Sequence, residues 1–339
     1  MQDNTIIIGA GQAAARCAIE LRRLGYSGQI TLYGAESEYP YQRPELSKSY
    51  LARAVSAAEL NVLSEQQAAA LDIEVVLNAA VTDVDTHART IEVNDTRVPF
   101  DKLVFACGGK VRQCSNALSL RTLQDAETLY SALRREQQLT VIGGGWLGLE
   151  VAATARAHGL QVTLYERQSR LGARVLPTEI SDVLLRHQQR IGVEVRLGSE
   201  LADAASTHGI VCACVGITAN DALAWRAGID TDNGILVNNR QMTSVPNIFA
   251  VGDCAREQGM AAMENWAYAN VSAERAAHAI CDIAPPVSPD LWIWSKQGDL
   301  LLQMRGQTTD ASQCIVRHSG ESSAYFYLNS ADQLTGCIA

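Results

Sequence analysis

Thr140-Val141-Ile142-Gly143-Gly144-Gly145-Trp146-Leu147-Gly148-Leu149-Glu150 is the stretch whose reading decides the fold. An apolar, β-branched run enters a cluster of glycines, and a helical pattern then runs to His158 and Gly159. Gln161–Tyr165 follows as a second strand and ends at Glu166. The same unit stands near the start of the chain. There Thr5-Ile6-Ile7-Ile8-Gly9-Ala10-Gly11-Gln12-Ala13-Ala14 opens a helix that reaches Leu24 and Gly25. A strand at Gln29–Tyr33 follows, with Glu36 just beyond. Both helices stop at a glycine, as a left-handed C-terminal cap requires. Both second strands end in Thr-Leu-Tyr.

Each glycine in these turns has a physical task. Gly9 and Gly143 permit a tight turn out of the strand. Gly11 and Gly145 carry no Cβ, so a pyrophosphate can approach the backbone. Ala14 and Gly148 let the helix pack closely on the sheet, and the helix N-terminus offers free N–H groups to phosphate. An acid past the second strand can accept hydrogen bonds from ribose hydroxyls, which singles out Glu166 and, less directly, Glu36. One such turn is weak evidence; two, each flanked by strand, helix and acid, predict two dinucleotide sites. A carboxylate at Glu166 repels a 2′-phosphate, so the second site is expected to take NADH. Two dinucleotides in one chain suggest a nicotinamide donor and a bound flavin in series.

The bulk composition agrees with a globular protein. The 339 residues are 47% hydrophobic and 19% charged, enough for two or three domains. No apolar run reaches the ~20 residues of a spanning helix, and the first residues lack a basic leader. A cytoplasmic protein that does not bind membranes is expected. The net charge of −9 argues against nucleic acid as a partner. The nine cysteines include no Cys-x-x-Cys, and the histidines show no ligand spacing, so no metal site is expected. Cys212-Ala213-Cys214 would place two thiols on one face of a strand, which reads as buried core.

Further motifs carry a family resemblance. Tyr39-Pro40-Tyr41-Gln42-Arg43-Pro44-Glu45-Leu46-Ser47-Lys48 resembles the P-Y-x-R-P-P-L-S-K signature of ferredoxin reductases that serve Rieske-type aromatic-ring dioxygenases, a group that includes putidaredoxin and rubredoxin reductases. Leu103–Gly109 is similar to the strand ending in A-T-G, with Cys107 in place of Thr. Leu120–Ala126 is similar to L-R-T-L-x-D-A, and Asn247–Asp253 to the second flavin motif. Glu264-Asn265-Trp266 and Trp294-Ser295-Lys296-Gln297 are similar to E-x-W and W-S-D-Q. The resemblance covers nearly the whole chain.

The resemblance implies an α/β fold with two Rossmann-like domains of the glutathione-reductase kind, one for FAD and one for NADH. It implies a FAD domain at 1–112 and 218–286, an NADH domain at 113–217 and a small α+β C-terminal domain at 287–339. It assigns Gly9, Gly11, Ala14, Glu36, Arg43, Lys48, Val81, Arg121, Asp253 and Trp266 to FAD. It assigns Gly143, Gly145, Leu147, Gly148, Glu166, Arg174 and Gly216 to NADH. Lys48, paired with Glu150, would lie near the reactive edge of the flavin and stabilise negative charge on its reduced form. The partner would be a [2Fe–2S] ferredoxin, drawn to a basic face for which Lys296 and Arg305 are candidates; the chain itself would be a monomer or homodimer. Disulfide reductases of this fold keep a dithiol beside the flavin, whereas Arg43–Lys48 holds none, so electrons would leave directly from the flavin.

Several departures temper the match. Relatives usually run several tens of residues beyond Ala339, and Ser199–Gly209 is short where they carry a hairpin. Glu45 replaces a proline and Lys296 an acid. A rubredoxin reductase, an NADH oxidase-like enzyme, and a FAD- and NADH-binding interaction protein of the apoptosis-inducing-factor type stand as alternatives.

Overall fold

A computed structural model describes residues 3–199, 209–285, 291–308 and 311–339. Residues 200–208 of the Ser199–Gly209 stretch, read above as short where relatives carry a hairpin, lie outside the described residues. The chain divides into two compact units. The first comprises residues 1–43, 57–110 and 217–289, and the second residues 44–56, 111–216 and 290–339. The Arg43–Ser47 turn therefore marks the passage of the chain from one unit into the other.

The first unit is built on a five-stranded sheet. Its strands lie in the order Ile248–Ala250, Lys102–Phe105, Asn4–Ile8, Gln29–Tyr33 and Glu74–Val76, and all pair in parallel. The strands are rich in buried apolar residues because both sheet faces are covered. Ile7, Leu32, Val104 and Phe249 face one way, toward the helices Gln12–Arg23 and Trp266–Ile280. Those helices meet the sheet through small residues, Ala14, Ala18, Ala273 and Ala277 among them, which allow close approach. Ile6, Ile8, Leu103 and Phe105 face the other way, toward Val84, Ile91 and Val93 of a three-stranded antiparallel layer.

The second unit repeats the plan. Val193–Leu197, Gln161–Glu166, Gln138–Ile142 and Ile210–Ala213 form a parallel sheet in that order. The repeat runs deeper than the glycine turns. At the first helix end, Gly25 has φ +79° and Tyr26 N–H donates to Leu21 O. At the second, Gly159 has φ +88° and Leu160 N–H donates to Ala155 O. These are the six-to-one bonds of a Schellman cap. An arginine pins each cap. Arg22 donates from Nη1 to Tyr26 O and from Nε to Leu71 O. Arg156 donates from Nη1 to Leu160 O and from Nε to Ile191 O.

The C-terminal residues add an antiparallel sheet to the second unit. Its strand order is Trp292–Gln297, Leu300–Gly306, Leu334–Ile338, Ser322–Leu328 and Gln313–Ser319. Among the described residues 291–308 and 311–339 there is no helix, so the helical part of the expected α+β region is not seen there. The sheet is tied to the helix Thr178–Arg190 by His187, whose Nε2 donates to Gln297 O at 2.7 Å. Its Nδ1 accepts from Arg190 Nη2 at 3.1 Å. That assignment makes the imidazole neutral, and burial holds its pKa below the ordinary value against the opposing pull of Gln297 O and Asp299.

The unfolded chain therefore takes up this proton first. His187 contributes its full stability above about pH 6.5, and the contribution is lost as pH falls toward the lower folded value. Denaturant unfolding followed from pH 7.5 to 5 should show stability declining over that window. In His187→Asn the decline should be shallower by up to one proton's worth of slope. An unchanged slope would contradict this assignment.

Candidate functional site

The two glycine turns are near copies in three dimensions. Gly9 has φ +118° and Gly143 has φ +104°. A Cβ at Gly9 would stand 2.3 Å from Ala106 O, and one at Gly143 would stand 2.5 Å from Cys214 O. Each turn is thus pressed against the end of the neighbouring strand. A Cβ at Gly148 would lie 1.9 Å from Gly143 O, whereas Ala14, at the matching place, is accommodated fully buried. Gly11 and Gly145 differ from all of these. Apart from their own chain neighbours, no described atom lies within 4 Å of where their Cβ would be. Packing inside the protein does not demand glycine there; an approaching ligand would.

The helix starts point the same way. Gly11 and Gly145 are the N-caps, and neither helix has a side-chain cap or an acid in its first turn. Ser64, Thr122 and Asn265 do cap three other helices. The first N–H groups of the two glycine-turn helices are therefore left for an anion. No ligand is needed to explain the rest of the fold, but these two features fit the pyrophosphates of two dinucleotides.

Glu166 closes the turn of the second unit. Its Oε2 accepts from Gly144 N–H at 2.6 Å and its Oε1 from Gln168 N–H at 2.7 Å. Both bonds hold the carboxylate at the end of its strand, with further lone pairs open to ribose hydroxyls. Arg170 is committed to Leu176 O, Ala173 O and Ser181 Oγ, while Arg167 and Arg174 are exposed. Leu147 lies in the first turn of the helix Trp146–Ala157. Gly216 has φ +94° and open space at its Cβ position.

In the first unit, Glu36 is already engaged. Its Oε1 pairs with Arg43 Nη2 at 2.5 Å, and its Oε2 accepts from Tyr41 OH at 2.6 Å. Burial pulls the Arg43 guanidinium down, but Tyr41, Glu36 and Asp253 outweigh it and hold its pKa above the ordinary value. Arg43, Glu36 and Asp253 thus belong to one charged cluster. Asp253 sits in the Gly252–Cys254 turn, where Gly252 N–H donates to Ser272 Oγ at 3.0 Å. Cys107, which replaces the motif threonine, donates its thiol to Ile8 O at 3.6 Å. Trp266 opens the helix Trp266–Ile280. Val81 starts the strand Val81–Asp85 and packs against the core that holds Val84, Ile91 and Val93. Arg121 precedes the Thr122 cap in the second unit, and its backbone N–H donates to Asp125.

Lys48 and Glu150 meet within the second unit. Lys48 Nζ donates to Glu150 Oε2 at 2.8 Å, and both side chains are below 10% exposed, at 9% and 6%. Lys48 Nζ also donates to Pro44 O at 2.6 Å. Ser47 Oγ donates to the same Oε2 at 2.5 Å. Ser295 Oγ donates to the other oxygen, Oε1, at 2.7 Å. The R-P-x-L-S-K stretch and the W-S-x-Q stretch therefore converge on one buried carboxylate. The sequence pairing of Lys48 with Glu150 did not include either serine. A hydroxyl in an alternating strand carries no sequence signal that it faces a charge far away in the chain. Cys212 and Cys214 do share a face, with their sulfurs 4.0 Å apart.

The profile described as pyridine nucleotide-disulphide oxidoreductase matches residues 3–274. The chain belongs to this family. A second profile, reductase C-terminal, matches residues 292–339. The ferredoxin–NAD(+) reductase component of the p-cumate 2,3-dioxygenase system of Pseudomonas putida is 36% identical, over 98% of this chain and 88% of its own length. A rubredoxin–NAD(+) reductase of Pseudomonas putida is 29% identical over 94% of this chain and 90% of its own length. Among solved structures, the crystal structure of the covalent putidaredoxin reductase–putidaredoxin complex superposes with a TM-score of 0.92. It is 32% identical and covers 99% of this chain and 89% of that chain.

Family membership and the Gly144–Glu166 geometry set an expected selectivity. Glu166→Ser should raise the Kd for NADH about 10-fold, from the loss of hydrogen bonds to a charged acceptor. It should also narrow the preference over NADPH. Equal affinities for NADH in the two proteins, measured by titration, would rule out Glu166 as the ribose acceptor.

Proposed function

We propose that this protein is an NADH-dependent flavoprotein reductase that passes electrons, through FAD, to the [2Fe–2S] ferredoxin of an aromatic-ring-hydroxylating dioxygenase system. The observation that carries the reading is the pair of open, uncapped glycine turns in one chain whose Arg43–Lys48 stretch holds no cysteine. Two dinucleotides can bind, and no dithiol stands in that stretch to relay electron pairs. Bound FAD supplies a group that takes two electrons as a hydride and releases them singly, which suits a one-electron carrier.

The residues divide the remaining work. Gly9, Gly11 and Ala14 hold the FAD pyrophosphate at the first helix, with Asp253, Arg43 and Glu36 as the polar cluster of that unit. Val81, Arg121 and Trp266 complete the FAD set. Gly143, Gly145, Leu147 and Gly148 hold the NADH pyrophosphate, Glu166 receives the ribose, and Arg174 and Gly216 border the nicotinamide dinucleotide. Lys48 supplies positive charge to the flavin, with Glu150 fixing its position. No described helix is long and apolar enough to cross a membrane, and we place the protein in the cytoplasm.

The C-terminal sheet offers a face for the carrier. Along Trp292–Gln297, Trp292, Trp294 and Lys296 alternate with inward-facing residues and pair across the strand with Arg305, Gln303 and Leu301. The two indoles stack with centroids 4.7 Å apart. Aromatic surface beside two cations suits an acidic protein partner. This is a local basic face on a chain of net charge −9.

The rubredoxin reductase relative keeps a second carrier in view. Steady-state assays with NADH and either a [2Fe–2S] ferredoxin or a rubredoxin separate the two; faster turnover with rubredoxin would overturn the ferredoxin reading. In Lys296→Ala/Arg305→Ala, ferredoxin reduction at low salt should fall about 10-fold through slower association. Its salt dependence should flatten, and ferricyanide reduction should stay intact. Equal loss of both activities, or no loss of either, would contradict the docking face.

A further inference from the structure

The strand Trp292–Gln297 works on its inner face as well. Ser295 and Gln297 are buried, while Lys296 between them is exposed. Ser295 Oγ donates to Glu150 Oε1 at 2.7 Å. Gln297 Nε2 donates to Ser295 Oγ at 3.3 Å, and Gln188 Nε2 donates to Gln297 Oε1 at 2.9 Å. Gln188 is itself anchored on Leu149 O, one residue before Glu150. The bonds form a one-way chain, Gln188 to Gln297 to Ser295 to Glu150. A hydroxyl that already receives a hydrogen bond from Gln297 has its single proton free to give, and here it gives it to the carboxylate.

That direction fixes more than a contact. The last torsion of a glutamate is broad, so a carboxylate held at one oxygen can swing. Ser47 and Lys48 engage Oε2; Ser295 engages Oε1. With both oxygens held, Oε2 has one position, and the ammonium that pairs with it has one position too. The neighbouring groups leave little room for an alternative arrangement, since Glu150 and Lys48 are both buried.

We propose that Ser295 is a positioning residue that acts through Glu150 to fix the Lys48 ammonium for flavin chemistry. The proposal rests on the reading above, in which Lys48 serves the flavin. It gives the C-terminal sheet a part in the redox step that is separate from carrier docking. Alternate residues of one strand then do two jobs, Ser295 and Gln297 inward and Trp292, Trp294 and Lys296 outward.

The test uses the FAD-loaded protein and two measurements. One is the midpoint potential of the bound flavin; the other is stopped-flow reduction by NADH, which separates the limiting rate from the apparent Kd. Ser295→Ala should shift the potential in the same direction as Glu150→Gln. It should lower the limiting rate about 10-fold, the size of a lost hydrogen bond to a charged group. The Kd for NADH should not change, and Ser295→Thr should restore both quantities. If Ser295→Ala does not accumulate as folded protein, Ser295→Cys, nearly isosteric with a weaker donor, carries the same test. An unmoved potential and rate in the serine variants, with Glu150→Gln shifting both, would overturn the role of Ser295 alone. An unmoved potential in Glu150→Gln as well would overturn the placement of Lys48 at the flavin, and this proposal with it.

Discussion

An α-helix leaves its first N–H groups without partners, and a protein must deal with them. Here Ser64, Thr122 and Asn265 do so at three helices with side-chain oxygens. No side chain caps Gln12–Arg23, Trp146–Ala157 or Thr178–Arg190, and at the first two the residue in the cap position is a glycine with open space beyond it. The rest of each unit is arranged around that opening. Parallel strands bring their C-terminal ends to it, as open α/β sheets do. Gly9 and Gly143 turn the chain sharply enough to face it, and close-packed Ala14 and Gly148 hold the helix on the sheet. Schellman caps pinned by Arg22 and Arg156 finish both helices in the same way. Two copies of one constraint produce two open helix starts, and on these rests the proposal of two dinucleotide sites in one chain.

A second constraint sits at Glu150. A buried carboxylate is costly unless charged and polar partners surround it. Lys48, Ser47 and Ser295 supply those partners from three separated stretches of sequence. Two of the motifs that carry the family resemblance therefore meet at one residue. This also accounts for the grouping of residues 44–56 with the second unit. The Lys48 segment is held by the helix that begins at the second glycine turn, through Glu150 and through Thr154, whose hydroxyl donates to Ser47 O at 2.8 Å.

The sheet and the turns were legible in the sequence because each depends on local pattern, whereas the Lys48–Glu150 pairing, 102 residues apart, was implied by the family resemblance alone. Apolar runs ending in Gly-x-Gly can do little else than form a strand and a tight turn. Other features depended on contacts with no local signal. Ser295 looks like any polar residue in an alternating strand. Arg22 and Arg156 look like ordinary surface arginines in a last helical turn, yet each reaches carbonyls of a following loop. Glu36 could be read as a ribose acceptor, but its pairing with both Arg43 and Tyr41 needs the folded turn to bring them together. Long-range side-chain geometry is what the sequence pattern lacked.

In the proposed reaction both glycine turns are filled, and electrons cross from one dinucleotide to the other and then leave singly. Anaerobic titration of the FAD-loaded protein with NADH, followed by mixing with an oxidised [2Fe–2S] ferredoxin, tests this directly. One equivalent of NADH should bleach the bound flavin, and mixing should then reduce two equivalents of the one-electron carrier. A protein that binds no FAD, or whose flavin keeps its colour in excess NADH, would contradict the account.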